Sequence, residues 1–306
     1  MTPSGVSLSN TYQDTFIRMA ISPLHRVDRY SLIEFCRTAR FSNLHLDWHD
    51  LPVLLNERNL LAAVDWDGRA IEAAIGAEVI SYSDGKQAAW LRLVLASSQT
   101  SARHRLPDLW NDLRSQLRAA GLTHATWLLF EPWTVALADQ MGFTPLTEVV
   151  ALSRSGSDIP QVTLPGGSIR VAGEADLEAI LRVDNLAFEP VWRNDMAMLR
   201  IAVQQAAYLT VWERAANIQG YQLSTHHIDG IHLARLAVNP ALQGKGIGAG
   251  LVCDLIQHFS RQGLKTITVN TQRDNLASRR LYDRLGFTLS GYAVKVSQAS
   301  LSEEPG

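Results

Sequence analysis

Two periodicities alternate along the second half of this chain. "SIRVAG" reads as a short strand, and "EADLEAILRVDNLAF" places Leu177, Ile180, Leu181 and Val183 on one helical face. "AAYLTVWER" and "IQGYQLSTH" look like paired strands. "HHIDGIHLARLAV" sets Asp229-Gly230, a hairpin turn signal, ahead of another strand. Apolar or small residues at 248, 251, 252, 255, 256 and 259 predict a second helix, closed by Gly263. "KTITVNT" is rich in β-branched residues and reads as a strand. "DNLASRRLYDRLGF" predicts a helix capped by Asp274 and stopped by Gly286. The sum is a mixed sheet with helices on both faces.

The first half echoes this order. "QMGFTPL" at Phe143 matches "RLGFTLS" at Phe287, and "LRLVLAS" at Val94 matches "LARLAVN" at Val238, both at an offset of 144. A repeat that long predicts a duplicated domain. Between the copies, "SRSGSDIPQVTLPGG" is rich in Ser, Gly and Pro and offers little for a core, so 153–167 reads as a linker. The expected domains are therefore 12–152 and 168–306, and a length of 306 residues suits two. Net charge of −2 without a basic stripe argues against nucleic acid as a partner. No apolar run reaches a bilayer's width, and the N-terminus "MTPSGVSLSNTYQD" lacks the basic start and apolar core of a signal peptide. Cys36 and Cys253 form neither a metal-type spacing nor a disulfide framework. No metal is expected, and a reducing, cytoplasmic setting fits.

The candidate chemistry starts at "VNPALQGKGIGAG", which holds glycines at 244, 246, 248 and 250. A phosphate loop of ATPases ends in Gly-Lys-Ser/Thr because the hydroxyl binds magnesium, and here Lys245 precedes Gly246. "GKGIGA" matches G-x-G-x-x-A, but a dinucleotide site also needs an acidic residue at the end of the next strand, where this chain has Asn270. Two readings stay open: a pyrophosphate cradle built from backbone amides at a helix N-terminus, or a flexible loop with a glycine cap.

The surrounding order resembles the GNAT superfamily of N-acetyltransferases, in a tandem-domain arrangement. Its acyl-CoA motif, Arg/Gln-x-x-Gly-x-Gly/Ala, is met by Gln243, Gly246 and Gly248. Its later Asn-x-x-Ala-x-x-Leu-Tyr-x-x-x-Gly-Phe is met by Asn275, Leu281, Tyr282, Gly286 and Phe287, with Ser278 in the alanine's place. The resemblance is specific over 231–290. It implies an α/β fold, an α+β mixed sheet in two tandem GNAT-like domains, each splayed and flanked by helices. "LARLAV" would bulge, splay from "KTITVN" and open a cleft. Leu236, Ala237 and Val238 would lie along the pantetheine arm of acetyl-CoA, the expected cosubstrate, with the backbone of Leu236 and Val238 bonding to it. Amides of Gly244, Lys245, Gly246, Ile247, Gly248 and Ala249 would hold its pyrophosphate, and Asn275 and Ser278 would face the arm. Asn275 could equally be a helix cap beside Asp274.

Acetyl transfer to an amine needs a neutral nucleophile and a proton for the leaving thiolate. Tyrosine titrates near 10, above a thiol near 8.5, so Tyr282, which matches the family's position, could supply that proton. A core tyrosine packed on Leu281 and Phe287 is the other reading. His232 stands near the start of the strand before the loop, where many members carry a base, or is a solvated strand residue. "NLAFEPVWRNDM" resembles the segment after the first helix of ribosomal-protein N-terminal acetyltransferases. There Phe188, Glu189 and Trp192 would touch the acceptor, and Glu189 or Asp195 would meet a cationic amine, unless the segment is a packed helix connection. In the first half "SQTSARHRLPDLW" replaces the glycine loop, Pro107 removes a donor from the helix start, and Ala138 stands where the tyrosine would. That half is expected to be degenerate, kept for packing or for shaping the cleft. The resulting expectation is an acyl-CoA-dependent N-acyltransferase that moves acetyl to a small-molecule, protein or peptide amine, with an acyl-CoA sensor without turnover, or another acyl group or acceptor, as alternatives.

Overall fold

The computed structural model describes residues 21–23, 29–66, 69–156, 158–228 and 230–302. The N-terminal "MTPSGVSLSNTYQD" and the turn residue Asp229 lie outside the described residues. The first half runs β1 (Ile21–Pro23), α1 (Arg29–Thr38), β2 (Phe41–Leu44), α2 (Leu51–Glu57), β3 (Leu60–Trp66), β4 (Ile71–Ser81), β5 (Gln87–Ala96), α3 (Gln99–Ala119), β6 (His124–Leu129), α4 (Pro132–Gln140) and β7 (Thr144–Ser155). The second runs β8 (Ser168–Val171), α5 (Leu177–Ala187), α6 (Met196–Gln204), β9 (Tyr208–Arg214), β10 (Asn217–His227), β11 (Gly230–Val238), α7 (Ile247–Ser260), β12 (Thr266–Gln272), α8 (Leu276–Arg284) and β13 (Thr288–Ser300).

All these strands join one mixed sheet, in the order β1-β3-β4-β5-β6-β13-β7-β12-β11-β10-β9-β8, with β2 attached to β5. The halves meet by exchanging their last strands. β7 crosses to pair with β12, and β13 crosses to pair with β6; the two also pair with each other. No edge remains at the seam, so the backbone groups of β6 and β12 are satisfied by the opposite half. Val294 and Val296 of β13 pack with Ile80, Tyr82, Trp90 and Leu128 in a buried cluster common to both halves.

Helices cover both faces because each carries one apolar stripe. α3 buries Leu106, Leu109, Trp110, Leu113 and Leu117 on the first-half strands. α7 buries Leu251, Val252, Leu255, Ile256 and Phe259 in the second half. Its end matches the expectation from Gly263: the left-handed glycine lets Leu264 N–H reach Phe259 O at 3.0 Å.

Four expectations need correction. Asn275, not Asp274, caps α8: its Oδ1 accepts from Ser278 N–H at 3.0 Å, while Asp274 accepts from Thr147 Oγ1 at 2.7 Å. Pro107 lies inside α3, whose start is capped by Ser98, and the Arg103 carbonyl that a residue-107 N–H would have bonded instead accepts from Gln140 Nε2 at 3.4 Å. Strand β7 runs through Ser155, into the expected linker, and Val162 beyond it packs on the second-half cluster. Lastly, the strand echo is two residues out of step, since the bulges described below align Arg92 with Ala234 rather than Val94 with Val238.

Candidate active site

The site begins with a bulge. Along β10 and β11, Leu223 pairs with Arg235 and Ser224 with Leu233, so Ala234 is the extra residue. β11 pairs with parallel β12 only through Ile231, His232 and Leu233. Beyond the bulge the strands separate, and one edge of residues 234–238 is left unpaired by the sheet. Asn239 N–H turns toward β10, where it bonds Gln219 O at 2.8 Å. By strand alternation the backbone groups of Leu236 and Val238 face the open edge, and those of Ala237 face β10. Ala237 itself is buried in the core. Gln243 folds back so that its Nε2 donates to Val238 O at 3.1 Å.

The glycine loop follows at the end of that edge. Gly244 and Gly246 have φ of +76° and +89°. Gly246 is the N-cap of α7, and no side chain caps the turn. The first intrahelical bond runs from Gly250 N–H to Gly246 O, so the amides of Ile247, Gly248 and Ala249 have no partner within the helix. Unpaired amides at the positive end of a helix dipole are suited to an anion. Lys245 Nζ donates to Ala241 O at 3.3 Å. A methyl on Gly246 would lie 3.0 Å from Thr163 O, and one on Gly250 only 2.1 Å from Leu164 Cδ2. Gly250 therefore serves packing against the segment that joins the halves.

Between the splayed strands opens a cavity of about 740 Å³. His232, Leu236, Asn270, Asn275, Ser278 and Tyr282 line it from the second half. Tyr282 packs in the core, its ring 5.5 Å from Phe287, and the residue also lines the cavity. Burial pushes its phenol well above the usual tyrosine range. His232 Nδ1 lies 2.9 Å from Thr268 Oγ1. Burial, then the nearby His227, lowers its pKa, so the imidazole is neutral at neutral pH.

The segment at 188–195 is clamped between the halves. Trp90 Nε1 donates to Val191 O at 2.7 Å, and the Trp90 and Trp192 rings meet edge to face at 5.3 Å. Phe188 and Trp192 line the large cavity, while Glu189 lines a separate one of about 360 Å³ beside His124 and Gln298. Asp195 is also engaged elsewhere, capping α6 and pairing with Arg58 Nη2 at 2.6 Å. Neither acid is placed to meet an amine in the large cavity.

Sequence reasoning missed two sets of residues. Asp184, fully buried, binds Arg235 in two hydrogen bonds of 2.8 and 2.9 Å and accepts from Tyr221 at 2.5 Å, fixing α5 against the bulge. An aspartate within the apolar run "ILRVDNLAF" was the available signal. The second set is His45, Asp47, Trp48, Trp90, Arg92 and Phe130, which line the same cavity from the first half. No local pattern marks them.

The first half keeps the frame but fills its groove. Ala77 pairs with Leu91 and Gly76 with Leu93, so Arg92 is the bulged residue of β5, and β5 pairs with β6 only at Trp90 and Leu91. The edge beyond is covered by β2, which pairs antiparallel with Leu93–Ala96. Asn43 of β2, buried, bridges to β6 by donating to Leu128 O at 3.0 Å and accepting from Phe130 N–H at 3.0 Å. Where the second half has an open cleft, the first has its own strand.

Among the described residues, no helix is long and apolar enough to cross a membrane, and no cluster of three or more His, Cys, Asp or Glu is arranged to hold a metal ion. Residues 177–287 match the Acetyltransferase (GNAT) family. The mycothiol acetyltransferase of Mycobacteroides abscessus is 26% identical over 194 residues, 58% of this chain and 65% of that relative, just short of two thirds of its length. Two solved structures share the fold over most of the chain. A GCN5-related N-acetyltransferase from Kribbella flavida aligns over 92% of this chain and 72% of its own at a TM-score of 0.63 and 14% identity. A tandem GNAT protein from the clavulanic acid biosynthesis pathway aligns over 90% and 95% at a TM-score of 0.59 and 14% identity. The chain thus shares the fold of these structures, one of them a tandem GNAT protein, and residues 177–287 within its second half match the family's model.

Proposed function

We propose, from the GNAT-family domain at residues 177–287, that the protein transfers an acetyl group from acetyl-CoA to a primary amine, with both substrates bound together in the second half. One observation carries this reading. The open edge beyond the Ala234 bulge leads from the uncapped turn at Gly246 to the cavity that Tyr282 lines.

The chain's residues fit the cosubstrate. The amides of residues 247–249, with those of Gly244, Lys245 and Gly246, hold the pyrophosphate, and a glycine turn without a side-chain cap leaves them free to do so. Leu236 and Val238 offer backbone groups to the pantetheine arm, as an added strand would be bonded, with Ala237 turned to β10 between them. Asn275 keeps its Oδ1 on the helix cap and lines the cavity together with Ser278. Acetyl-CoA supplies the activated acyl group; no metal enters the scheme. The Val238 N–H polarises the carbonyl that is attacked. His232 accepts a proton from the amine at Nε2, directly or through water, while Nδ1 stays with Thr268. Tyr282 returns a proton to the departing sulfur, and its raised pKa keeps that proton in place at neutral pH.

A cavity walled by both halves favours a small-molecule amine over a protein terminus. The mycothiol acetyltransferase relatives point the same way. Phe188 and Trp192 form one wall of the acceptor's site. One observation favours a second reading, an acyl-CoA sensor without turnover: β12 presents Asn270 to the cavity, an amide that cannot act as a base. Calorimetry with acetyl-CoA, followed by free-thiol release across an amine panel, separates these. Binding with amine-dependent thiol release supports transfer, binding without release supports the sensor, and absence of binding removes both.

A further inference from the structure

We infer that Asp47, on the loop that follows β2 in the first half, is the anionic anchor for a cationic group of the molecule that enters the shared cavity. The inference takes from the proposed function only the acceptor's place; the anchor itself rests on the first half.

Asp47 is the single carboxylate among the described residues that line the cavity. Its side chain is 34% exposed, while its partners are sunk in the protein. Arg92 Nη1 binds its Oδ2 at 2.6 Å. The same guanidinium donates to His45 Nδ1 at 2.9 Å, so His45 must donate through Nε2 to Asp47 Oδ1 at 2.6 Å. Behind Arg92, Glu78 binds it at 2.7 Å and Arg58 at 2.5 Å, and Arg58 reaches Asp195. Three carboxylates thus face two guanidiniums, with one negative charge left over. Of those carboxylates only Asp47 opens on the cavity.

The cavity's cations leave that charge uncancelled. Arg235 is bound to Asp184 and Arg193 to Asp84, and Arg92 is already part of the network. The loop is also held in an unfavourable shape. Asp47 has φ of +40°, a left-handed backbone that L-residues adopt at a cost. Gln205 secures the next residue by donating to Trp48 O at 2.7 Å. Trp48, Trp90 and Phe130 line the cavity beside it, and aromatic faces attract cations. The occupant that this surface recognises is an amine-bearing small molecule with a positive charge, seated between Asp47 and these rings.

The test uses the intact protein with saturating coenzyme A and follows tryptophan fluorescence. The probes are three primary amines, namely an aliphatic diamine, an amino sugar and an amino-acid amide, each paired with the neutral analogue in which hydroxyl replaces amine. At least one charged probe should bind tenfold or more tightly than its neutral partner, and the preference should disappear in Asp47→Asn and persist in Asp47→Glu. Equal binding of every charged and neutral pair to the unaltered protein overturns the inference without any variant, and so does a preference retained by Asp47→Asn. Failure of coenzyme A to bind, read separately by calorimetry, counts against acetyl transfer and leaves the amine comparison standing.

Discussion

The two halves start from one plan and end with opposite grooves. Each has a bulge in the strand before its long helix, and each lets that strand part from its parallel neighbour after two or three pairs. In the second half the parted edge stays open and runs to a glycine turn. In the first half β2 is zipped onto it, and α3 begins with a serine cap. The bulged residue differs accordingly. Ala234 is small and lines the open cavity, whereas Arg92 stays buried beneath it and holds Asp47. The lesson is that a parted strand need not leave a groove. Its hydrogen-bonding edge must be satisfied by something, and here the chain supplies the strand itself.

The sharpest way to break this comparison is at Tyr282. Tyr282→Phe should keep acetyl-CoA affinity and lower turnover by roughly 10²–10⁴, the usual contribution of a general acid. Steady-state kinetics with calorimetry checks it, and unchanged turnover removes the role. Next, Gly246→Ala should weaken acetyl-CoA binding at least tenfold and cost about 1–3 kcal/mol of stability, because it combines an unfavourable φ with a close carbonyl. Gly250→Ala should cost stability alone, so the pair distinguishes cradle from packing. On the other side of the comparison, Asn43→Ala should destabilise the chain by about 1–3 kcal/mol in urea unfolding, since it removes the side chain that bonds the buried Leu128 carbonyl and the part-buried Phe130 N–H. Coenzyme A should still bind at one site per chain, and a second site would refute the filled groove.

The smallest effect expected is that of pH at His232. Its folded pKa lies below the unfolded value near 6.5, so the unfolded chain takes up the proton first. Its contribution to stability is complete above that value and is lost as pH falls through 6.5 toward the folded pKa. The acid limb of the rate profile should follow the lowered pKa and vanish in His232→Ala.

The second half was legible in its sequence because its signals are local. The glycine turn, the helix face from 248 to 259 and the β-branched run of β12 each announce themselves within a dozen residues. The cap of α8 is shared in sequence between Asp274 and Asn275, since they are adjacent and either side chain suits the position; the backbone decides that Asn275 bonds Ser278. The filled groove was hidden, since "FSNL" is an unremarkable strand whose partner lies 50 residues on. The same holds for Asp47 and Arg92, which belong to the cavity only through the assembled sheet. Glu189 shows the reverse error: its charge and place in the sequence suggested an amine contact, but the clamp at Trp90 and Val191 accompanies its placement in the other cavity.

The exchange of β7 and β13 sets a timetable for biosynthesis. β6 leaves the ribosome roughly 8–30 s before β13, at the usual 5–20 residues per second, and throughout that interval its edge has no native partner. The amino-terminal portion therefore cannot complete its architecture as an autonomous unit during translation. A ribosome stalled between the two strands would display an unsaturated β-edge, the kind of surface that nucleates aggregation.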